Sequence, residues 1–112
     1  MNTIRQNRVA RLIQKELAII FQEHSYDLFQ NKIITVTIVR ISADLSVCKV
    51  YVSIFPYNEK ENFIEYLNMQ KKVIRNFLAQ RIRNQVRIIP ELIFYRDDSI
   101  DYANRIDELL KK

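Results

Sequence analysis

Ser42-Ala43-Asp44-Leu45-Ser46 joins two β-branched runs, Ile33 to Ile41 and Val47 to Phe55, and its reading decides the fold. The flanking runs are rich in Ile, Val, Thr and Tyr, residues that favour the pleated, half-buried surface of a strand. Asp44 is the natural turn residue, because its carboxylate can accept hydrogen bonds from backbone amides just ahead of it. The unit is therefore a β-hairpin. In the first run Thr35, Thr37 and Val39 fall on one face, with Ile34, Val36, Ile38 and Arg40 on the other.

Outward from the hairpin the period changes. Thr3 to about His24 carries Val9, Leu12, Ile13, Leu17, Ile20 and Phe21 at helical spacing. Thr3 and Gln6 have the spacing of a capping box. Arg8, Arg11 and Lys15 lie on the opposite face. Ser25 to Lys32 is a polar connector whose Tyr26, Leu28 and Phe29 are expected to tuck against the core. Pro56 ends the second strand. Glu61 to about Asn84 is a second helical region with Phe63, Ile64, Leu67, Ile74, Phe77, Leu78 and Ile82 on one broad face. Gln70 and Arg81 interrupt that face, which predicts a kink or register change. Val86 to Tyr95 is a third strand; Pro90 lacks a donor and requires an edge position or the strand's start. Asp97-Asp98-Ser99 can cap a short last helix with Ile100, Ala103, Ile106, Leu109 and Leu110 on its apolar side. The predicted class is α+β, with order α-β-β-α(kinked)-β and the C-terminal helix packed on or beside a three-stranded sheet. This is the order of type II KH-like domains, which other small α+β folds can share.

The 112 residues make a single domain, with 97–112 as an acidic helical extension. No apolar run approaches the roughly 20 residues that cross a bilayer. The N-terminus has no apolar signal region, and Cys48 is the only cysteine, which fits a reducing, cytoplasmic setting. The chain has no glycine, so phosphate-binding glycine loops, dinucleotide fingerprints and the Gly-x-x-Gly loop of standard KH domains are excluded. Turns must use Asn, Asp or Pro, or tolerate strain.

Catalytic chemistry has little to work with. His24 continues the apolar stripe of the first helix, and neither Ile20 nor Leu28 could share a metal with it. Cys48 lies mid-strand among valines, as a buried structural thiol does. Asp97-Asp98 suits a helix cap better than a carboxylate pair. No enzyme, metal or cofactor is expected.

The basic residues are different. The net charge is +5, and it is uneven: residues 1–96 carry 15 basic and 8 acidic side chains, residues 97–112 only 3 against 5. Lys71, Lys72, Arg75, Arg81, Arg83 and Arg87 fall within one stretch that holds no acid. The first helix adds Arg5, Arg8, Arg11 and Lys15, offset by Glu16. A merely solvated helix face usually mixes both signs, so one dominant sign points to a polyanion, most commonly nucleic acid. Arg8, Arg11, Lys15, Lys71, Lys72, Arg75, Arg83 and Arg87 are the candidate phosphate contacts; such contacts position a protein on RNA without reading sequence. Tyr51, Tyr57, Tyr66 and Tyr95 are candidate stacking platforms, although core packing is the commoner role.

Ser42, Asp44, Leu45, Lys49 and Val50-Tyr51-Val52, followed by Arg87, Pro90-Glu91-Leu92, Phe94, Asp98 and Ser99, resemble the bacterial ribosome-binding factor A family. Arg8-Val9-Ala10 with Gln14-Lys15-Glu16-Leu17 resembles its opening helix, and Ile74-Arg75 with Leu78 its second. The resemblance implies a type II KH-like fold that binds the 30S subunit and its 16S rRNA near the neck and decoding region. It also implies a role in late subunit maturation and rRNA processing, release helped by a GTPase, and a link to growth in the cold. One departure stands out. The family replaces the Gly-x-x-Gly loop by an Ala-x-Gly kink, and here that position holds Gln70-Lys71-Lys72. The expectation is a monomeric, cytoplasmic, non-enzymatic assembly factor. Two rivals remain: a general KH-like RNA-binding module, and a protein-interaction module using the exposed sheet or the acidic tail.

Overall fold

The computed structural model describes residues 3–98. The expected C-terminal helix, with Ser99 in its cap, lies outside the described residues. In chain order the elements are α1 (Ile4–Glu23), β1 (Ile33–Ile41), β2 (Val47–Phe55), a 3-10 turn (Glu59–Glu61), α2 (Phe63–Met69), α3 (Lys71–Ile82) and β3 (Glu91–Arg96). The sheet order is β1-β2-β3, antiparallel in the hairpin and parallel between β2 and β3. All three helices cover one face of the sheet, giving a two-layer, KH-like α+β domain. The core between the layers joins Ile13, Leu17 and Phe21 of α1 to Val50 and Val52 of β2, Leu67, Ile74 and Leu78 of α2 and α3, and Phe94 of β3. Phe21 meets Phe29 and Phe94 edge-on, with ring centroids 5.0 and 6.0 Å away.

Local chemistry explains the element ends. Thr3 and Gln6 form the reciprocal capping box, and the buried Gln6 amide also donates to the Ile41 carbonyl at 3.2 Å. At the hairpin turn Asp44 accepts from the Ser42 and Ser46 hydroxyls at 2.7 Å and from the Ser46 amide at 3.1 Å. Those bonds, those of Ser46 first, hold its carboxyl down to about 2. Without glycine, the left-handed conformations fall to Gln30, Asn31, Leu45 and Asn62. Leu45 tolerates a positive φ of 63° while its side chain is buried, so apolar burial offsets the steric penalty.

Three expectations need correction. First, β1 does not keep one alternation. A β-bulge between Val36 and Ile38 shifts the register, so Ile34, Val36 and Ile41 are buried while Ile38 and Arg40 face outward. Thr37 is the bulged residue; its hydroxyl donates to the Asp97 carboxylate at 2.6 Å and lies 3.1 Å from the Tyr51 carbonyl. Asp97 thus anchors the bulge. Second, Tyr26 is 85% exposed rather than tucked in, whereas Phe29 is fully buried. Third, the last strand begins at Glu91, not Val86, with Pro90 immediately before it. Residues 86–90 cross from helix layer to sheet. β3 is an edge strand, and the Asn68 side chain occupies part of its free edge: Phe94 N–H donates to Asn68 at 2.8 Å, and Asn68 donates to the Phe94 carbonyl at 3.0 Å.

Candidate nucleic-acid interface

The kink falls at Gln70, one of the two polar intrusions on the helical face. Gln70 takes φ −93° and ψ 7°, a conformation open to residues with a Cβ, so the break needs neither Ala nor Gly. Its consequence is a fresh helix N-terminus at Lys71. No side chain caps α3, and its first turn holds no acid. The positive end of a helix dipole favours anions, yet Lys71 and Lys72 stand there, both exposed. The same inversion marks α1, whose first turn contains Arg5 and no acid. Two helix starts bearing cations are unfavourable alone and favourable around a bound anion.

These starts open into two grooves at one end of the molecule. The first, about 490 Å³, is lined by Arg5, Arg8 and Arg87 around Leu45 of the hairpin turn and Val86. Arg8 and Arg11 continue it along α1. The second, about 400 Å³, is lined by Lys71, Lys72, Arg75 and Glu91. The connection from α3 to β3 links them: its residues 85–87 line the first groove, and the start of β3 lines the second. The hairpin turn lies at the same end, because Glu91 N–H donates to the Ser46 carbonyl at 2.9 Å.

Of the eight candidate contacts, Arg8 and Arg87 line the first groove, Arg11 its continuation along α1, and Lys71, Lys72 and Arg75 the second. Lys15 and Arg83 are exposed and line neither. Arg75 is not a free cation. Its Nε donates to the Pro90 carbonyl at 3.1 Å and its Nη2 to the Ile89 carbonyl at 2.6 Å, so it fastens the α3–β3 connection. Arg81, part of the basic stretch in sequence, pairs with Glu16 at 2.5 Å and Glu23 at 3.8 Å of α1. Glu16, which reads as the acid among the first helix's cations, is thereby neutralised from α3. No local spacing announces that pair.

Three further titratable groups, His24, Cys48 and Lys32, serve the fold. The His24 ring stacks on Phe77 at 4.2 Å, with Nδ1 3.2 Å from Asp27. Burial pushes the Cys48 thiol up to about 12. Lys32, which sequence reasoning passed over, has a buried ammonium that donates to the Pro56 carbonyl at 2.8 Å and pairs with Glu61 at 2.7 Å. Among the described residues no group of three or more His, Cys, Asp or Glu could hold a metal ion, and no helix is long and apolar enough to cross a membrane.

The profile of the family Ribosome-binding factor A matches residues 5–110. Ribosome-binding factor A of Cytophaga hutchinsonii is 50% identical over 112 residues, covering 100% of this chain and 84% of that protein. Its counterpart in Chlorobaculum parvum is 43% identical, covering 97% and 90%. The crystal structure of Thermus thermophilus ribosome-binding factor A superposes with a TM-score of 0.66 at 29% identity, covering 81% of this chain and 94% of that one. A Thermus thermophilus homology model fitted into a cryo-EM map of a 30S complex gives 0.64 at 29% identity, covering 81% and 93%. With a matching profile over nearly its whole length and relatives at this identity, the chain belongs to the ribosome-binding factor A family.

Proposed function

We propose that this chain binds the small ribosomal subunit through 16S rRNA and assists its late maturation and rRNA processing. The observation that carries the RNA reading is the inverted charge at two helix starts: Arg5 on α1, and Lys71 and Lys72 on α3, stand where acids would be favoured. An RNA phosphate in either groove would meet both side-chain cations and a helix's positive end. Arg8, Arg11 and Arg87 extend the first groove; Lys15 and Arg83 would act as outlying, screened charges. The ribosomal part of the proposal is supported by family membership and by the relative fitted into a 30S map. The chain works as a monomer in the cytoplasm, needs no cofactor, catalyses no reaction, supports growth in the cold and leaves the subunit with the help of a GTPase.

The kink gives this a physical form. Gln70 lets α3 start afresh beside the sheet's edge, so its N-terminus supplies the phosphate-facing end that a Gly-x-x-Gly loop supplies elsewhere. The test is complementation. Cells lacking their own family member should accumulate precursor 16S rRNA, and this chain should restore processing. The Lys71→Ala/Lys72→Ala variant should restore it poorly at equal protein level. Full restoration by that variant would sink the role given to the second groove.

A further inference from the structure

The face of the sheet away from the helices carries a second constellation. The bulge at Thr37 turns Ile38 and Arg40 outward, and register then builds two rows across all three strands. One is Ile38, Tyr51 and Tyr95; the next is Arg40, Lys49 and Ile93. The Tyr51 and Tyr95 rings stack with centroids 5.2 Å apart and planes 24° apart. Ile38 and Tyr95 remain 41% and 38% exposed. Arg40 faces Lys49 directly across the antiparallel pair, an arrangement that like charges disfavour. Among the described residues neither cation forms an ion pair; of the carboxylates on this face, Glu91 sits one row further, opposite Val47, and Asp97 is held by the Thr37 hydroxyl at the bulge, beyond Tyr95 from the two cations.

We infer that this face, which no described residue covers, is a stacking site for a short single-stranded RNA segment, separate from the helix-layer grooves. A base stacks on the Tyr51–Tyr95 platform beside Ile38, and the adjoining phosphates sit at Arg40 and Lys49. The rows are two residues apart along a strand, about 6.7 Å, which suits one nucleotide step. Aromatic faces beside unpaired cations bind single strands with little sequence preference, since every base has a π-face. The like-charged pair favours a polyanion over an apolar protein partner. The site rests on the RNA-binding reading but uses none of its groove residues.

The test uses the full chain and a fluorescent octa-adenylate, with an RNA duplex and 30S particles alongside. Tyr95→Ala should weaken octa-adenylate binding at least about fivefold with the salt slope unchanged, and Tyr95→Phe should restore it. Arg40→Ala/Lys49→Ala should flatten the slope by about 1.4. Duplex binding should change little in either, and circular dichroism should show both folded. If the sheet variants bind octa-adenylate like the parent while Lys71→Ala/Lys72→Ala loses 30S binding, the stacking site is wrong and the groove reading stands. If polyglutamate displaces octa-adenylate equally from the parent and Tyr95→Ala, the face is an acidic-protein site and the inference falls. If no RNA binds the parent at all, both readings fall together.

Discussion

Replacing Arg75 by Ala should damage the fold more than it damages RNA binding, although sequence places Arg75 among the phosphate contacts. Its guanidinium makes two charged hydrogen bonds, to the carbonyls of Ile89 and Pro90. A hydrogen bond from a charged donor contributes roughly 1.5–3 kcal/mol. The side chain is only partly buried, so water would replace some of that loss, and about 2–3 kcal/mol is the expected total. For a domain of this size that lowers Tm by roughly 8–12 °C. Arg75→Lys keeps the charge but not the planar fork that reaches two carbonyls at once, and should recover less than half. The assay is urea denaturation followed by circular dichroism, with Lys72→Ala as the exposed control. If Arg75→Ala falls within about 0.5 kcal/mol of the parent, the two bonds do not fasten the connection and Arg75 returns to the list of free cations.

Neutralising Lys71 and Lys72 together should leave Tm unchanged and reduce the slope of log affinity against log salt by about 1.4–1.8 in RNA titrations; an unchanged slope would remove both from the interface. Lys32→Ala should cost about 2 kcal/mol in the same urea assay, because the Pro56 carbonyl loses its donor and Glu61 its partner. Cys48, with its thiol raised to about 12 by burial, should resist a thiol reagent at pH 8 until the protein unfolds; rapid labelling of the native protein would contradict its burial. Asp44 is held below the ordinary 3.8, at about 2. A depressed carboxyl stabilises the turn fully above its ordinary value and loses that contribution as pH falls between the two. An NMR titration of the Ser46 amide should therefore have its midpoint near 2, and a midpoint near 3.8 would refute the Ser42–Asp44–Ser46 network.

The hairpin, the capping box and the helix break were legible because each is governed by residues close in sequence. Asp44 reaches Ser42 and Ser46, Thr3 reaches Gln6, and Gln70 interrupts its own helix. The bulge at Thr37 was not legible: its anchor, Asp97, lies 60 residues away, and its effect is to reverse a face assignment that strict alternation makes plausible. The basic stripe was half legible. Sequence shows the sign of the charge but not the partners, so Arg81 and Arg75 read like Lys72 until Glu16 and the carbonyls of residues 89 and 90 come close. The outward pairing of Arg40 with Lys49 depends on the same bulge and was hidden with it. Tyr51 and Tyr95 were visible as candidate platforms, but only the parallel register of β2 and β3 stacks their rings.

The central claim is a salt-dependent preference for the small subunit. Cosedimentation of the full chain with purified 30S, 50S and 70S particles across a salt series tests it most directly. Retention on 30S alone, falling steeply as salt rises, is the predicted result. Equal retention on all three particles, or binding to 30S that ignores salt, would contradict it.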